Sequence, residues 1–381
     1  MKAQKTYAKC RAFLLLLILA AEFLPAQEDY SVYDRFMWNN PERVKVKDSE
    51  LSFSKDEYPH LKNDGLYFMS YFNRGWVFMI NIFHMKSNLF DKWGIYALVS
   101  DPEGNSRWYT YEMDGRKIVF ETDYLYITDG ENTFSGREDV FKLDCNFDNF
   151  SCDLTFENVL PSWKGDDGYV YLDKEENLFE FRVVISPWAK VKGTINMNGE
   201  KIYINDGYGY GEKSLVINPI TKLNPLLYAI RVYSTEDVPW KDRWHIHVLE
   251  SVAHPEYNSK RIPRMIVARG GEWVFTTPDY TIEPFDYGSL EGIPYSYPKR
   301  VRIESEANDY KLSGVYTSRV FFDYTDVFAE IPPILRAIIK LFFNRPVYFR
   351  NLGDFKGTLT KPDGEVVDLN LTGPYEYIVV K

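Results

Sequence analysis

Short apolar and aromatic segments recur along the chain, separated by glycine-bearing dipeptides. Gly65–Phe72 (GLYFMSYF), Trp76–Phe83 (WVFMINIF), Leu178–Ile185 (LFEFRVVI), Lys299–Ser305 and Tyr310–Thr317 are of strand length. Between such segments lie Asp114-Gly115, Asp129-Gly130, Asn198-Gly199, Gly270-Gly271 and Asp363-Gly364. These pairs tolerate the positive φ of tight turns, so each predicts a hairpin of two antiparallel strands. Many short strands joined by hairpins, with almost no helical period, predict an all-β chain of sandwich or barrel type. One helix is expected, from Pro332-Pro333 through ILRAIIKLFFN to Asn344 before Pro346. Prolines at its start and just past its end are the usual punctuation. Ile334, Leu335, Ile338, Ile339 and Phe342 form its apolar stripe. Such a helix packs on a barrel or makes peripheral contact with a membrane, and two basic residues are a weak basis for the latter.

The strands do not alternate in the ordinary way. GLYFMSYF and WVFMINIF are apolar or aromatic on both faces. One face of a barrel strand looks into the lumen and the other outward. An apolar outer face is therefore covered, most simply by a partner barrel or a helix. A barrel of about eight strands can hold one small ligand where side chains leave room, so at least one hollow, apolar interior is expected.

A comparison of the chain with itself supports a partner barrel. Val191–Glu212 reads VKGTINMNGEKIYINDGYGYGE and Phe355–Tyr377 reads FKGTLTKPDGEVVDLNLTGPYEY. Both run Lys-Gly-Thr, Gly-Glu turn, strand, then Gly, Tyr and Glu. From Lys192 to Lys356 is 164 positions, the size of a whole β domain rather than a solenoid repeat. Pro219 and Pro225 interrupt the pattern, which places the domains at 27–218 and 219–381.

Residues 1–26 read as an address. Lys2, Lys5, Lys9 and Arg11 precede the run FLLLLILAA, and Leu24-Pro25-Ala26 follows it. A basic start, a short apolar run and a small residue are those of a cleaved signal peptide, and the run is about half of a membrane span. A periplasmic or secreted protein is expected. Cys10 leaves with that segment, and Cys145 and Cys152 remain across a short turn in FKLDCNFDNFSCDLTF. They can meet disulfide geometry or stay as buried thiols. No metal site is expected from two cysteines without histidines at ligand spacing.

Composition sharpens the picture. The 381 residues carry 45 Lys+Arg against 55 Asp+Glu, so a nucleic-acid partner is not expected of this acidic chain. Aromatic residues make up 17%, with 29 Tyr, 26 Phe and 9 Trp, a store of large apolar area with polar tips.

The ending Gly207-Tyr208-Gly209-Tyr210-Gly211-Glu212 resembles that of the lipocalin-like double-barrel family. This family includes AttH-type bacterial proteins, carotenoid 1,2-hydratases and fungal survival-factor proteins, and fungal decalin-forming cyclases are similar in architecture. Lys192–Tyr210 matches the close of the first barrel, Tyr257–Phe275 resembles the second barrel's opening hairpins, and Arg345–Arg350 with Lys356–Tyr377 resembles the C-terminus. The resemblance covers most of residues 60–381 and implies two consecutive antiparallel calycin barrels. Hydratase-like members tend to carry a His-Asp-His-rich stretch after Gly-x-Gly-Tyr; Gly211-Glu212-Lys213-Ser214 stands here instead.

Candidate chemistry is sparse. The Gly207–Gly211 run lacks the following helix that a dinucleotide loop needs. No GxSxG, HExxH or P-loop pattern occurs, and no cofactor is expected. His245 and His247 share one face of a strand, alternating with Trp244, Ile246 and Val248. They and Glu212 are the candidate acid–base groups. Trp244, Tyr208, Tyr210, Tyr228, Trp76 and Phe78 are the candidate ligand-binding aromatics. The reading that results is an exported binder of a hydrophobic small molecule, a lipid or isoprenoid. Its rival is a cofactor-free hydratase, isomerase or cyclase using the same cavity, and a third class is a structural envelope protein with filled barrels.

Overall fold

The computed structural model describes residues 45–380 apart from 89, 166, 174, 220–223, 258, 260, 294 and 327–345. The expected signal segment and the expected helix lie outside these residues. Among the described residues, no helix is long and apolar enough to cross a membrane.

Two antiparallel sheets account for the fold. In the first, β1 (Lys62–Phe72), β2 (Trp76–Ser87), β3 (Phe90–Ser100) and β4 (Ser106–Met113) make a meander. β5 (Val119–Phe120), β6 (Leu125–Thr128), β7 (Thr133–Arg137), β8 (Val140–Phe147) and β9 (Phe150–Leu160) make a second one. β10 (Tyr169–Tyr171) is a side strand on β11 (Phe179–Met197), and β12 (Glu200–Ile217) returns to pair with β1. The second sheet repeats the plan. β13 (Leu226–Tyr233), β14 (Trp244–Val252), β15 (Arg261–Arg269) and β16 (Glu272–Thr277) form its opening meander. β17 (Tyr280–Ser289), β18 (Ser296–Ala307), β19 (Tyr310–Asp326) and β20 (Pro346–Thr360) follow, and β21 (Val366–Val380) returns to β13. The matching endings of the sequence are thus the hairpins β11–β12 and β20–β21.

Turn chemistry explains most of the connections. Asn198 and Gly199 take φ of 52° and 87° between β11 and β12, the positive pair that a two-residue hairpin turn requires. Asp114-Gly115 departs from expectation, because it joins no hairpin: β4 pairs with β3, and β5 pairs with β6. The ladder breaks at that turn, leaving β4 and β5 at the two ends of the first sheet. Each sheet curls back on itself into a lipocalin-like barrel. Tyr109 and Tyr111 of β4 reach Phe150 and Phe147 at 5.0 and 5.5 Å, and Phe275 of β16 reaches Tyr310 at 5.5 Å.

The doubly apolar strands bury both faces. Leu66, Phe68 and Phe72 of β1 and Phe78, Ile80 and Ile82 of β2 point into the first barrel. Met69, Tyr71, Val77 and Met79, on the opposite face, pack with Tyr233, Ile262, Ile266 and Ala268 of the second half. The outer faces therefore cover one another and make a seam between the barrels.

The expectation of a hollow interior fails for the first barrel. A wall facing a void wide enough for water would keep exposed surface. Phe68, Phe134, Phe141, Leu143, Leu154 and Phe156 keep 0%. Phe68 packs on Phe156 and Phe141 at 5.1 and 5.9 Å, so aromatic bulk fills the space. Cys145 and Cys152 lie in this core, directly opposite across β8–β9, as free thiols.

Close approach within the second sheet uses glycine, where β21 returns to pair with β13. A Cβ on Gly373 of β21 would stand 2.0 Å from the Arg231 carbonyl oxygen of β13. Gly373→Ala is expected to force these strands apart and cost about 1–3 kcal/mol, read as a fall of several degrees in thermal midpoint. An unchanged midpoint would contradict this packing. Phe156→Ala is expected to cost about 3–5 kcal/mol. A loss under about 1 kcal/mol in denaturant titration would instead indicate an unfilled first barrel.

Candidate functional site

Alternation along each strand decides what enters the seam. On β14, Trp244, Ile246 and Val248 face the second barrel's interior, which turns His245 and His247 outward to the first barrel. On β12, Tyr208 and Tyr210 face the seam, and Glu212 shares their parity. Five of the predicted residues, Tyr208, Tyr210, Glu212, His245 and His247, therefore meet in one place, all buried.

The seam contains a column of rings from both halves. Tyr208 stacks on Tyr233 at 4.8 Å and 3°, and Tyr233 stacks on His245 at 4.5 Å and 10°. Tyr71 extends it beside Tyr208 at 6.4 Å, and His247 follows His245 at 6.4 Å. Tyr210 meets His247 edge-on at 4.7 Å. Trp188 flanks His245, and half-buried Trp240 lies against both Trp188 and Tyr208, each at 5.6 Å. Trp240 is in turn covered by Arg243 and Lys190.

Next to the rings runs a buried set of alternating charges. Arg182 bonds Glu180 at 2.7 Å and Glu212 at 2.8 Å, and Glu212 also accepts the Tyr210 hydroxyl at 2.5 Å. Arg231 lies 4.1 Å over the Tyr210 ring and bonds Glu376 at 3.0 Å. Glu376 accepts from Arg350 at 3.0 Å and from Tyr67 of the other half at 3.1 Å. Arg350 reaches Asp323, which also accepts the Trp108 indole at 2.8 Å. Arg264 lies 3.6 Å from Glu180. Four guanidinium groups thus face four carboxylates, which suits groups withdrawn from water together. Arg182–Glu212 and Arg350–Glu376 each lie on the last two strands of their half, Arg350 directly opposite Glu376 and Arg182 opposite Ser214, two residues from Glu212.

Electrostatics sets the protonation states. Burial raises the Glu212 and Glu376 carboxyls, but the neighbouring arginines and hydrogen bonds outweigh it and hold both below the ordinary value. Burial lowers His245 to about 3. His247 is pushed well below its ordinary value by burial, then by Arg231, His245, Arg264 and Arg182. Both imidazoles are neutral at physiological pH, and Glu212 is ionised. An ionised, arginine-held Glu212 does not suit the role of general acid expected for it.

Several polar atoms here have no hydrogen-bond partner among the described residues. They include both ring nitrogens of His247, the hydroxyls of Tyr208 and Tyr233, Nε1 of Trp188 and Nε of Arg231. Each such buried group costs about 1–3 kcal/mol.

The other predicted residues lie elsewhere. Trp76 and Phe78 face the first barrel's packed interior, and Tyr228 and Trp244 that of the second. Among the described residues, no cluster of His, Cys, Asp and Glu could hold a metal ion. A surface pocket of about 480 Å³, lined by Asp91, Lys92, Trp93, Glu112, Met113, Asp114 and Gly115, lies at the other end of β3 from the seam residue Leu98. Its polar lining does not suit an apolar ligand. Arg182, Arg231, Arg264, Arg350, Glu180 and Glu376 were not anticipated. Their signal is a charge alone in an apolar strand, as in LYAIRVY and GPYEYIVV, or a Glu–Arg pair two apart, as in LFEFRVVI.

Comparisons agree with this architecture. CghA, solved with Sch210972, superposes with a TM-score of 0.63 at 11% identity, covering 92% of this chain and 98% of its own. An AttH-assigned protein of Nitrosomonas europaea gives 0.59 at 12% identity, covering 89% and 98%. Kievitone hydratase from Nectria haematococca gives 0.57 at 11% identity, covering 92% and 97%. At such identities the likeness shows the lipocalin-like double-barrel fold alone. No curated protein matches the chain. The Svf1 family profile matches residues 34–349, across both barrels and the seam between them. The chain belongs to the Svf1 family.

Proposed function

We propose that the protein binds a hydrophobic small molecule of lipid or isoprenoid type, and that it does so in the seam between its barrels. The observation that carries this reading is the set of unpartnered polar atoms in a dry aromatic layer. Buried polar groups are normally paired, and a few of them within a large apolar surface are the ordinary make-up of a small-molecule site. Burial of an apolar ligand against Tyr208, Tyr233, Trp188 and Trp240 would be worth about 25 cal/mol per Å². Tyr208, Tyr233, Trp188, His245 and His247 keep 0% exposure, so the seam is closed as it stands and a ligand enters only when the layer opens, with half-buried Trp240 swinging aside. CghA, solved with Sch210972, and kievitone hydratase are similar in fold, which supports a ligand role for this architecture. Export rests on residues 1–26 and predicts a mature chain lacking them, read from the intact mass of the protein recovered outside the cytoplasm.

A second reading, proton transfer to a polyene, rests on His247. It is neutral, with both nitrogens free of protein partners, and so could act as a base. In that case His247→Ala abolishes conversion while binding persists, and turnover that survives the substitution removes His247 from the chemistry.

Organic extraction of the purified protein followed by mass spectrometry is expected to show a co-purified apolar compound. A clean extract, together with no binding of long-chain probes, would defeat the binding reading. Tyr208→Phe and Tyr233→Phe remove hydroxyls that only a ligand satisfies. Each is expected to raise the stability of the ligand-free protein by about 1 kcal/mol while weakening ligand retention. A loss of stability in both would show that the hydroxyls already have partners.

The depressed histidines also set a pH response. An unfolded chain takes up protons below about pH 6.5 that folded His245 and His247 refuse, so stability present above that pH is lost as pH falls. Down to pH 5 each contributes a loss of about 2 kcal/mol. Buried His84 shifts in the same direction, and the carboxylates Glu212 and Glu376 act only below about pH 4.5. Denaturant unfolding of a His245→Phe/His247→Leu variant is expected to show a visibly flatter profile from pH 7 to 5. An unchanged slope would mean that these imidazoles are not buried as neutral groups.

A further inference from the structure

The unpartnered atoms of the seam are not evenly divided between donors and acceptors. Trp188 Nε1 and Arg231 Nε carry hydrogens and can only donate. The hydroxyls of Tyr208 and Tyr233 each bring one hydrogen, and neutral His247 brings one N–H and one bare nitrogen. His245 already faces the backbone carbonyls of Val232 and Pro187. On this face the strict acceptors are the bare nitrogens of His247 and His245 and the Asn81 amide oxygen, fewer than the donors. The carboxylates that could have balanced the donors are already engaged: Glu212 by Arg182 and Tyr210, and Glu376 by Arg231, Arg350 and Tyr67. The free hydrogen-bonding capacity of the seam therefore holds more donors than acceptors.

Resting on the seam as the ligand site, we propose that the ligand presents an sp² oxygen acceptor, a carboxylate or carbonyl, to His247 and Arg231, with its apolar body along the Tyr208–Tyr233 column. Two features of the geometry make this specific. His247 lies at the end of the column, edge-on to Tyr210, and the Arg231 guanidinium lies over that same ring at 4.1 Å, so an acceptor at His247 is also beside Arg231. Both side chains come from the second half, while Tyr208 and Tyr210 come from the first, so a ligand so placed touches both barrels. A primary amine in the same place would meet more donors than acceptors among these atoms, and the Arg231 guanidinium of its own charge. Sites built to pair a polar group reject analogues that leave their buried groups unpaired far more strongly than apolar pockets reject a change of size.

The test uses the full chain and Nile red, an uncharged apolar probe, displaced by hexadecanoic acid, methyl hexadecanoate, hexadecanol and hexadecylamine. The acid and the ester are expected to displace the probe at concentrations about tenfold lower than the amine, with the alcohol between. His247→Leu, which removes the polar ring without stranding a charge, is expected to bring the acid-to-amine ratio, measured against the same probe, below about threefold. Thermal midpoints of both proteins establish that the variant is folded. Should that variant not fold, His247→Gln, which retains a donor, is expected to keep the preference for acid over amine. An amine equal to or better than the acid would overturn the acceptor inference and leave the seam site standing. So would a preference unchanged in His247→Leu or abolished in His247→Gln. If the wild-type chain binds no Nile red, or Trp240→Ala and Tyr208→Ala leave that binding unaltered, the seam itself is not the ligand site and both readings fall.

Discussion

Four arginines and four carboxylates removed from water must find one another, and that requirement governs how the two barrels sit. Desolvating a single guanidinium or carboxylate costs several kcal/mol, recovered only when each charge is paired in good geometry. Arg231 and Arg350 share Glu376, Arg182 spans Glu180 and Glu212, and Tyr67 crosses from the first half to Glu376 in the second. A relative shift of the halves by a few ångströms would strand charge in a medium with no water to receive it. Apolar packing of Met69, Met79, Ile262 and Ile266 supplies the attraction between the barrels but tolerates sliding. The ions do not, so they specify the register that the apolar surface leaves open.

Duplication makes such a seam easy to build. Both halves end in a Lys-Gly-Thr strand, a glycine turn and a returning strand, and in both the last two strands bring an arginine and a glutamate to the same outward face. Copies joined face to face present the same patch to each other, as in an isologous dimer interface. Divergence then breaks the symmetry where chemistry needs it. The second half places His245 and His247 on β14, and the first places Tyr208 and Tyr210 on β12. The mixed column of rings joins residues that differ between the two patches, Tyr208 and Tyr210 from one and Tyr233, His245 and His247 from the other.

Much of this was legible along the chain. The all-β class and four of the five turn dipeptides follow from local rules that act over a few residues. The covered outer faces were readable from GLYFMSYF and WVFMINIF, because a strand with two apolar faces must bury both. Gathering Tyr208, Tyr210, His245 and His247 in one place was within reach of strand parity, but parity says only which residues share a face. It does not say whether that face looks into a lumen or at a neighbour. That ambiguity is why the aromatics Trp76 and Phe78, placed in a ligand cavity by expectation, lie in a solid core. The charges were harder. Arg231 and Glu376 are 145 residues apart, and no local pattern pairs them. Asp114-Gly115 misled for a related reason: its turn chemistry is real, yet the strands on either side belong to opposite ends of a curled sheet.

The filled first barrel gives the aromatic excess a physical meaning. A lipocalin-type cylinder that holds no ligand needs bulk to fill it, and Phe68, Phe134, Phe141 and Phe156 provide that bulk with few rotatable bonds to immobilise. Phenylalanine fills the closed space, where a hydroxyl would have no partner. The seam instead carries tyrosine and histidine, and there the Tyr208 and Tyr233 hydroxyls and both His247 nitrogens stand unpaired. If both kinds of site were merely packing, the polar atoms would be a defect costing several kcal/mol in total, removable by single Tyr-to-Phe changes. Their retention in a layer otherwise built to exclude water is what the proposed ligand site in the seam accounts for.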